Sequence, residues 1–276
     1  MLLHMFLAAC VQITSKGNVA ENLAACSRLT SEAAARGARI VVLPENFAFI
    51  GIHEDEKLAI AEDVEPTGLH GPIVQACLDM ARQAKVWLFA GGMPERTPDP
   101  KRVHNTCLVV SPEGDLASKY RKIHLFDVQI PGAAEFMESR TVAPGAEPVV
   151  VETPLAPIGL SICYDVRFPE LYRELAKRGA RVVVVPAAFT MHTGKDHWHA
   201  LLRARAIENQ VYVLAPAQFG RANEKRLCFG HSLVVDPWGA IIADASDREG
   251  IVVAEIDLEF QDKVRRELPV LDHRRL

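Results

Sequence analysis

Two stretches of this chain read alike, and nothing else constrains its fold as much. Residues 30–47 run TSEAAARGARIVVLPENF and residues 172–189 run YRELAKRGARVVVVPAAF, with ten of the eighteen aligned positions identical. Both stretches close on the same pair, Pro44 and Phe47 in the first and Pro186 and Phe189 in the second. Downstream, Leu108-Val-Val-Ser-Pro-Glu-Gly114 matches Leu233-Val-Val-Asp-Pro-Trp-Gly239. Upstream, and more weakly, Leu7-Ala-Ala-Cys10 lines up with Leu160-Ser-Ile-Cys163. The three matches keep their order in both halves. Apolar β runs and Pro/Gly turns recur by convergence, but a shared Arg-Gly-Ala-Arg favours one αβ unit used twice, over about 5–125 and 157–245.

The coarse elements follow from periodicity. Helical spacing over 18–36 stops at Gly37, a residue suited to the left-handed turn after a helix. Ile40-Val-Val-Leu43 is a short apolar run ending in proline, as in a strand buried on both faces. A helix is expected over 71–84, a strand over 86–90, and a hairpin where Leu108–Val110 and Leu116–Lys119 flank Ser-Pro-Glu-Gly-Asp. The second half repeats the pattern: strand 158–162, helix 169–178, strand 182–186, helix 196–208, strand 211–216, hairpin 232–244. Alternating helices and strands mean an α/β fold, and the hairpins make the sheets mixed. Two such halves can pack sheet to sheet with helices outside, in four layers. One unit spanning residues 1–276 is therefore expected rather than two independent domains.

Composition excludes other classes. With 49% hydrophobic and 24% charged residues among 276, the chain has ordinary globular make-up and can bury a full core without staples. A net charge of −4 gives no reason to expect nucleic acid as a partner. No apolar run approaches the roughly 20 residues that span a bilayer. The six cysteines (10, 26, 77, 107, 163 and 228) are scattered and form no Cys-x-x-Cys pair, which suits free thiols in a reducing cytoplasm. Leu7-Ala-Ala-Cys10 is shaped like a lipoprotein cleavage box, but no basic residue precedes it. Residues 5–13 are expected to form the first buried strand.

Open-sheet α/β proteins place chemistry at strand ends, and three residues stand there. Glu45 follows Val41-Val-Leu-Pro44, and its counterpart in the second half is Ala187, so the repeated scaffold does not require a carboxylate. Cys163 follows Ile158-Gly-Leu-Ser-Ile162. Lys122 lies in Tyr120-Arg-Lys-Ile-His-Leu-Phe-Asp127, after the first hairpin. Singly, each has a bland reading: a buried thiol, a solvated carboxylate, a surface ammonium. Together they make a reaction centre. A thiol must lose its proton to attack, a nearby carboxylate can take it, and an ammonium stabilises the oxyanion that forms.

Leu43-Pro-Glu-Asn-Phe47, Tyr120-Arg-Lys-Ile-His-Leu-Phe126 and Gly159-Leu-Ser-Ile-Cys-Tyr-Asp-Val-Arg-Phe-Pro-Glu-Leu171 closely resemble the three signature blocks of the nitrilase superfamily of carbon–nitrogen hydrolases, in that family's order. The resemblance implies a four-layer αββα sandwich and a Glu-Lys-Cys triad. By it Glu45 is the general base, Lys122 the oxyanion stabiliser and Cys163 the nucleophile. Glu138, in Phe136-Met-Glu-Ser-Arg140, matches the family's second glutamate, and the Tyr164 backbone amide completes the oxyanion hole. His192-Thr-Gly-Lys-Asp-His-Trp-His199, Leu201-Leu-Arg-Ala-Arg-Ala-Ile-Glu208 and Gly230-His-Ser-Leu-Val-Val-Asp-Pro-Trp-Gly239 resemble the Nit branch, which includes deaminated glutathione amidases.

The implied reaction is hydrolysis of a small carboxylate-bearing linear amide to acid and ammonia, through a thioester on Cys163 and without a cofactor. Alternatives are an ω-amidase acting on α-ketoglutaramate, an N-carbamoyl amino acid hydrolase, a nitrilase or, in another class, a catalytically silent scaffold. Arg167 is a candidate to pair a substrate carboxylate, or else forms an ion pair with Glu170 or Asp165. Phe189 and Thr190 should reach the pocket rim, although Phe189 suits a core equally. His192, His197 and His199 with Asp196 invite a zinc reading, but their spacing matches no standard site; Asp196 reads instead as a helix cap, and no metal is expected. The resemblance also implies a homodimer or higher homo-oligomer, with the tail at 259–276 packing on a neighbour.

Overall fold

The computed structural model describes residues 4–65, 67–129 and 135–275. The first half contributes β1 (Met5–Gln12), α1 (Val19–Ala35), β2 (Ala38–Leu43), α2 (Pro72–Ala84), β3 (Trp87–Arg96), β4 (Val103–Val110) and β5 (Leu116–Arg121). A short ribbon, β6 (Asp127–Gln129) with β7 (Glu135–Met137), follows. The second half contributes β8 (Val150–Val151), β9 (Ile158–Leu160), α3 (Pro169–Lys177), β10 (Val182–Val184), α4 (Met191–Asn209) and β11 (Tyr212–Ala215). It continues with β12 (Phe219–Arg221), β13 (Leu227–Phe229), β14 (Leu233–Val235), β15 (Ile241–Asp244), β16 (Gly250–Asp257) and α5 (Leu258–Glu267).

Two six-stranded sheets result, ordered β16-β1-β2-β3-β4-β5 and β8-β9-β10-β11-β14-β15. The order and sense of the two correspond. β1, β2 and β3 run parallel, as do β9, β10 and β11, and each trio is flanked by antiparallel partners. The stretches at 30–47 and 172–189 occupy the same place in each sheet: the end of a helix, the middle strand of the trio, and the turn beyond it.

Alternation along the strands builds the layers. Ala9, Val11, Val41, Leu43, Leu88 and Ala90 face α1 and α2, packing on Cys26, Leu29, Val74, Cys77 and Leu78. Their neighbours Ala8, Cys10, Ile40, Val42 and Phe89 point the other way, into a cluster shared with Ile158, Leu160 and Leu214 and continuing to Trp198 and Leu202 of α4. Successive side chains on a strand alternate faces, so most residues of such a strand are buried, in one cluster or the other. The outcome is the four-layer αββα sandwich. Asn18 caps α1 by accepting from the Glu21 amide, and Gly37, at φ 89°, ends it.

One expectation is corrected. α4 begins at Met191 rather than 196, with Thr190 and not Asp196 at its N-cap. Gly194 reads as a helix breaker, yet it is the point where α4 touches β13: a Cβ there would lie 2.4 Å from the Phe229 Cβ. The start of the tail docks on its own chain. Leu258 and Val264 of α5 are buried, and the Gln261 amide donates to the Arg181 and Gln210 carbonyls, each at 2.8 Å.

Gly91 and Gly92 carry a specific load. The β3–β4 register shifts between Ala90 and Met93, forming a bulge at the two glycines. A Cβ on Gly91 would sit 2.0 Å from the Pro186 Cβ and 2.8 Å from the Leu43 carbonyl. This is where the turns beyond the two middle strands meet. Gly91→Ala must push the sheets apart, and overpacking of this kind costs about 1–3 kcal/mol. Urea denaturation should show a lower midpoint with an unchanged slope; an unaltered midpoint would mean that the contact yields without cost.

Candidate active site

Glu45, Lys122, Glu138 and Cys163 converge on one cleft of about 570 Å³ between the ends of the two sheets. Each is delivered by a different local device. Glu45 lies just beyond β2, in a turn where Asn46 adopts φ 59° and donates its amide to the Gly92 carbonyl at 2.9 Å. The Gln218 amide holds the Glu45 carbonyl from the other half of the chain, at 3.0 Å. Lys122 is the first residue past β5, and its backbone amide donates to the Asn105 carbonyl of β4. Glu138 opens a single 3-10 turn, Glu138–Arg140.

Cys163 starts another 3-10 turn, Cys163–Arg167, with φ 48°, a left-handed conformation that a non-glycine residue adopts only when its surroundings enforce it. The enforcement is visible. The Cys163 amide donates to the Pro186 carbonyl at 2.9 Å. Fully buried Asp165 accepts from the Ile162 amide at 2.9 Å, the Tyr120 hydroxyl at 2.7 Å and the His124 amide at 3.0 Å. Asp165 thereby ties the cysteine turn to the segment that carries Lys122.

The charged core is compact. The Lys122 ammonium donates to Glu45 Oε1 at 2.9 Å and to the two oxygens of Glu138 at 2.9 and 3.2 Å. Glu45 Oε2 accepts from the Ala188 amide at 3.0 Å, and Glu138 Oε2 from the Phe126 amide at 2.7 Å. Asn105 bridges both carboxylates through Nδ2, at 2.9 and 3.2 Å. Carboxylates only accept, which settles which end of the amide faces them. Gly92 makes room for this bridge: a Cβ there would meet Asn105 Oδ1 at 2.7 Å and Glu45 Cγ at 2.8 Å.

Electrostatics assign the protons. Burial alone would depress the Lys122 ammonium, but the Glu138 and Glu45 carboxylates outweigh it and hold the group well above its usual range. Burial would raise Glu138, but Lys122, Lys57 and the Phe126 amide overcome it and keep the carboxyl below its usual range. Burial, reinforced by the negative charge of Glu45, pushes the Cys163 thiol well up, with Lys122 opposing. The resting site therefore holds an ammonium, an ionised Glu138 and a neutral thiol.

Of the candidate specificity residues, Phe189 and Thr190 line the cleft, as does Tyr164. Phe189 is also core, tilted against Trp198 at 4.9 Å. Arg167 is not part of the lining. Its guanidinium lies over the Phe189 and Tyr164 rings at 5.1 and 5.8 Å and 3.3 Å from His197 Nδ1. Neither expected carboxylate partner, Glu170 nor Asp165, forms an ion pair with it among the described residues. His199 separates from His192 and His197 and shares Asp244 with His231, each ring nitrogen 3.0 Å from one carboxylate oxygen.

Sequence reasoning missed Asn105, Glu54, Lys57, Phe136, Thr193 and Arg226. Asn105 left a trace, a polar residue inside the apolar run Val103-His-Asn-Thr-Cys-Leu-Val-Val110. Glu54, Lys57 and Arg226 left none, because they sit in polar connections that read as solvated surface.

Comparison with known proteins places the chain in a family. A family model described as carbon-nitrogen hydrolase covers residues 7–266. A deaminated glutathione amidase of Synechocystis sp. is 45% identical over 272 residues, 98% of each chain. The NitFhit fusion protein of Caenorhabditis elegans is 44% identical over 274 residues. Its crystal structure superposes with a TM-score of 0.90 at 41% identity, covering all of this chain and 66% of that one. This chain thus spans under two thirds of the fusion protein's length. Saccharomyces cerevisiae Nit3, described as a member of branch 10 of the nitrilase superfamily, superposes with a TM-score of 0.90 at 33% identity, covering 100% and 98% of the two chains. A match running nearly end to end in sequence and in fold settles the family: the chain belongs to the carbon-nitrogen hydrolases of the nitrilase superfamily.

Proposed function

We propose that this protein is an amidase of the deaminated glutathione amidase type, cleaving a linear amide through a thioester on Cys163. The observation that carries the reading is the convergence of Glu45, Lys122, Glu138 and Cys163 on one cleft, in a chain 45% identical to a relative of that name.

The chemistry follows from the proton inventory. Glu45 takes the Cys163 proton as sulfur attacks the amide carbon. A raised thiol pKa means that the sulfur waits protonated, so the base acts during attack rather than before it. One Lys122 N–H serves Glu45 and one is shared by the two Glu138 oxygens, which leaves a third for the oxyanion. The Tyr164 amide joins it; N–H groups in the first turn of a helix lack intrahelical acceptors. Glu45 hands the proton to the departing nitrogen as the C–N bond breaks. It then takes one from water, whose oxygen attacks the thioester, and returns it to the leaving thiolate. Glu138, held ionised, keeps Lys122 charged and carries no proton. With deaminated glutathione the departing group is an amine rather than ammonia, so assays should read the acid and the nitrogen product separately.

The wider setting is part of the same reading. All six thiols are free and buried, which supports a reducing compartment, and we assign the cytoplasm. Among the described residues no helix is long and apolar enough to cross a membrane. Exposed Ile207, Trp238, Ile241 and Ile242 on α4 and the β14–β15 hairpin support a homo-oligomer. Sedimentation should give at least a dimer, and Trp238→Glu should loosen it; a wild-type monomer at micromolar concentration would remove the proposal.

Two substitutions test the chemistry. Cys163→Ala should fold and lose turnover of deaminated glutathione, and Glu45→Gln should lose about 10²–10⁴-fold in kcat. Normal turnover by either variant would break the assignment. Lys122→Met leaves two buried carboxylates facing each other without their cation, and removing one partner of a buried ion pair costs about 3–5 kcal/mol. Denaturant titration should show that loss together with abolished activity; a stable, active variant would mean that the ammonium is dispensable.

A further inference from the structure

The charged side chains lining the cleft divide into two groups. The inner group, Glu45, Glu138 and Lys122, sets two carboxylates against one ammonium. The outer group reverses the balance, with Lys57 and Arg226 against Glu54. Glu54 lies with Lys57 in a 3-10 turn, Glu54–Ile60, and Arg226 immediately precedes β13. The Lys57 ammonium is 2.7 Å from Glu54 Oε2, and Arg226 Nη2 is 3.2 Å from Glu54 Oε1. One carboxylate thus holds two cations, and one positive charge has no partner within the group.

Arg226 is built to be used. Its side chain is only 19% exposed, and its guanidinium lies 5.5 Å from the centre of the Phe136 ring, another lining residue. Burial would weaken its charge, but Glu54 and, farther off, Glu45 and Glu138 preserve it. Among the described residues Glu54 is the side chain that accepts from the guanidinium, whose planar fork offers five N–H groups. Arg226 and Glu54 also border the two cavities adjoining the cleft.

We propose that Arg226 and Lys57, anchored by Glu54, form a subsite for a carboxylate on the substrate. The neutral amide occupies the inner end beside Cys163, and the anionic arm lies on the outer cations. A guanidinium fork fits a carboxylate bidentately, and the negative surplus at the inner end opposes binding in the reversed direction. The proposal rests on the amidase reading and deepens it: it supplies a reason for this cleft to prefer acidic amides. It also places carboxylate recognition on Arg226, where the sequence pointed to Arg167.

The test compares glutaramate with valeramide, which replaces the carboxylate by a methyl group. Arg226→Met should lose about 10- to 100-fold more kcat/KM on glutaramate than on valeramide, mostly in KM, the size expected for a charge-assisted hydrogen bond. Lys57→Met should show a smaller loss of the same kind, and Arg226→Lys should recover part of the preference. Equal losses on both amides, or no recovery with lysine, would overturn the subsite. Calorimetry with glutarate on the Cys163→Ala protein reads the subsite without turnover: binding should be present and should weaken at least tenfold on adding Arg226→Met. If wild type hydrolyses neither these amides nor deaminated glutathione while glutarate binding still requires Arg226, the amidase reading fails and the subsite stands. If glutarate binds equally well without Arg226, the subsite fails whatever the turnover.

Discussion

A lysine ammonium buried between two carboxylates is the interaction on which the rest of this molecule depends. Lys122 is 2% exposed and lies 2.9 Å from both Glu45 and Glu138. Removing such charges from water is costly, and their attraction offsets the cost only where the geometry is good and the remaining lone pairs are bonded. Here they are bonded: to the Ala188 and Phe126 amides and to Asn105. Those partners come from both halves of the chain, so the two halves must meet before the ion cluster can form. The glycine bulge at Gly91-Gly92, the grip of Gln218 on the Glu45 carbonyl and the Asp165 network around Cys163 all serve that meeting.

The same cluster governs reactivity. Five of the six cysteines are buried thiols pushed upward by desolvation, Cys26 and Cys107 to about 12 and Cys228 to about 11. Cys163 is pushed upward as well, so a low resting pKa does not set it apart. Its neighbours do: a carboxylate that can take the proton during attack and an ammonium that can stabilise the charge which follows. A nucleophile that waits protonated is protected from adventitious alkylation and becomes reactive only when a substrate carbonyl reaches the oxyanion donors.

Much of this was legible in the sequence, for identifiable reasons. The duplicated stretch at 30–47 and 172–189 forecast matching strand trios, because an apolar run ending in proline has few ways to sit in an α/β sheet. Glu45 and Cys163 stood out because each ends an apolar strand with a reactive group, and Lys122 because its block after the first hairpin resembles a family signature. What escaped was decided by tertiary contact. α4 starts five residues early because Gly194 lets it pack on Phe229, a close approach that local propensity cannot report. Asn105 shows as a polar residue in a strand, but nothing in the sequence says that it spans two carboxylates. Arg226, Lys57 and Glu54 come together from segments some 170 positions apart, in connections indistinguishable from solvated surface.

The central claim is that the acyl half of the substrate rests on one sulfur. The most direct measurement is rapid acid quenching of the enzyme during turnover of deaminated glutathione, followed by peptide mass mapping. The account predicts a mass increase equal to the acyl fragment on the peptide containing Cys163, removed by hydroxylamine, with the other five cysteine peptides unmodified. Steady turnover with no adduct on Cys163, or with the adduct on another residue, would contradict it.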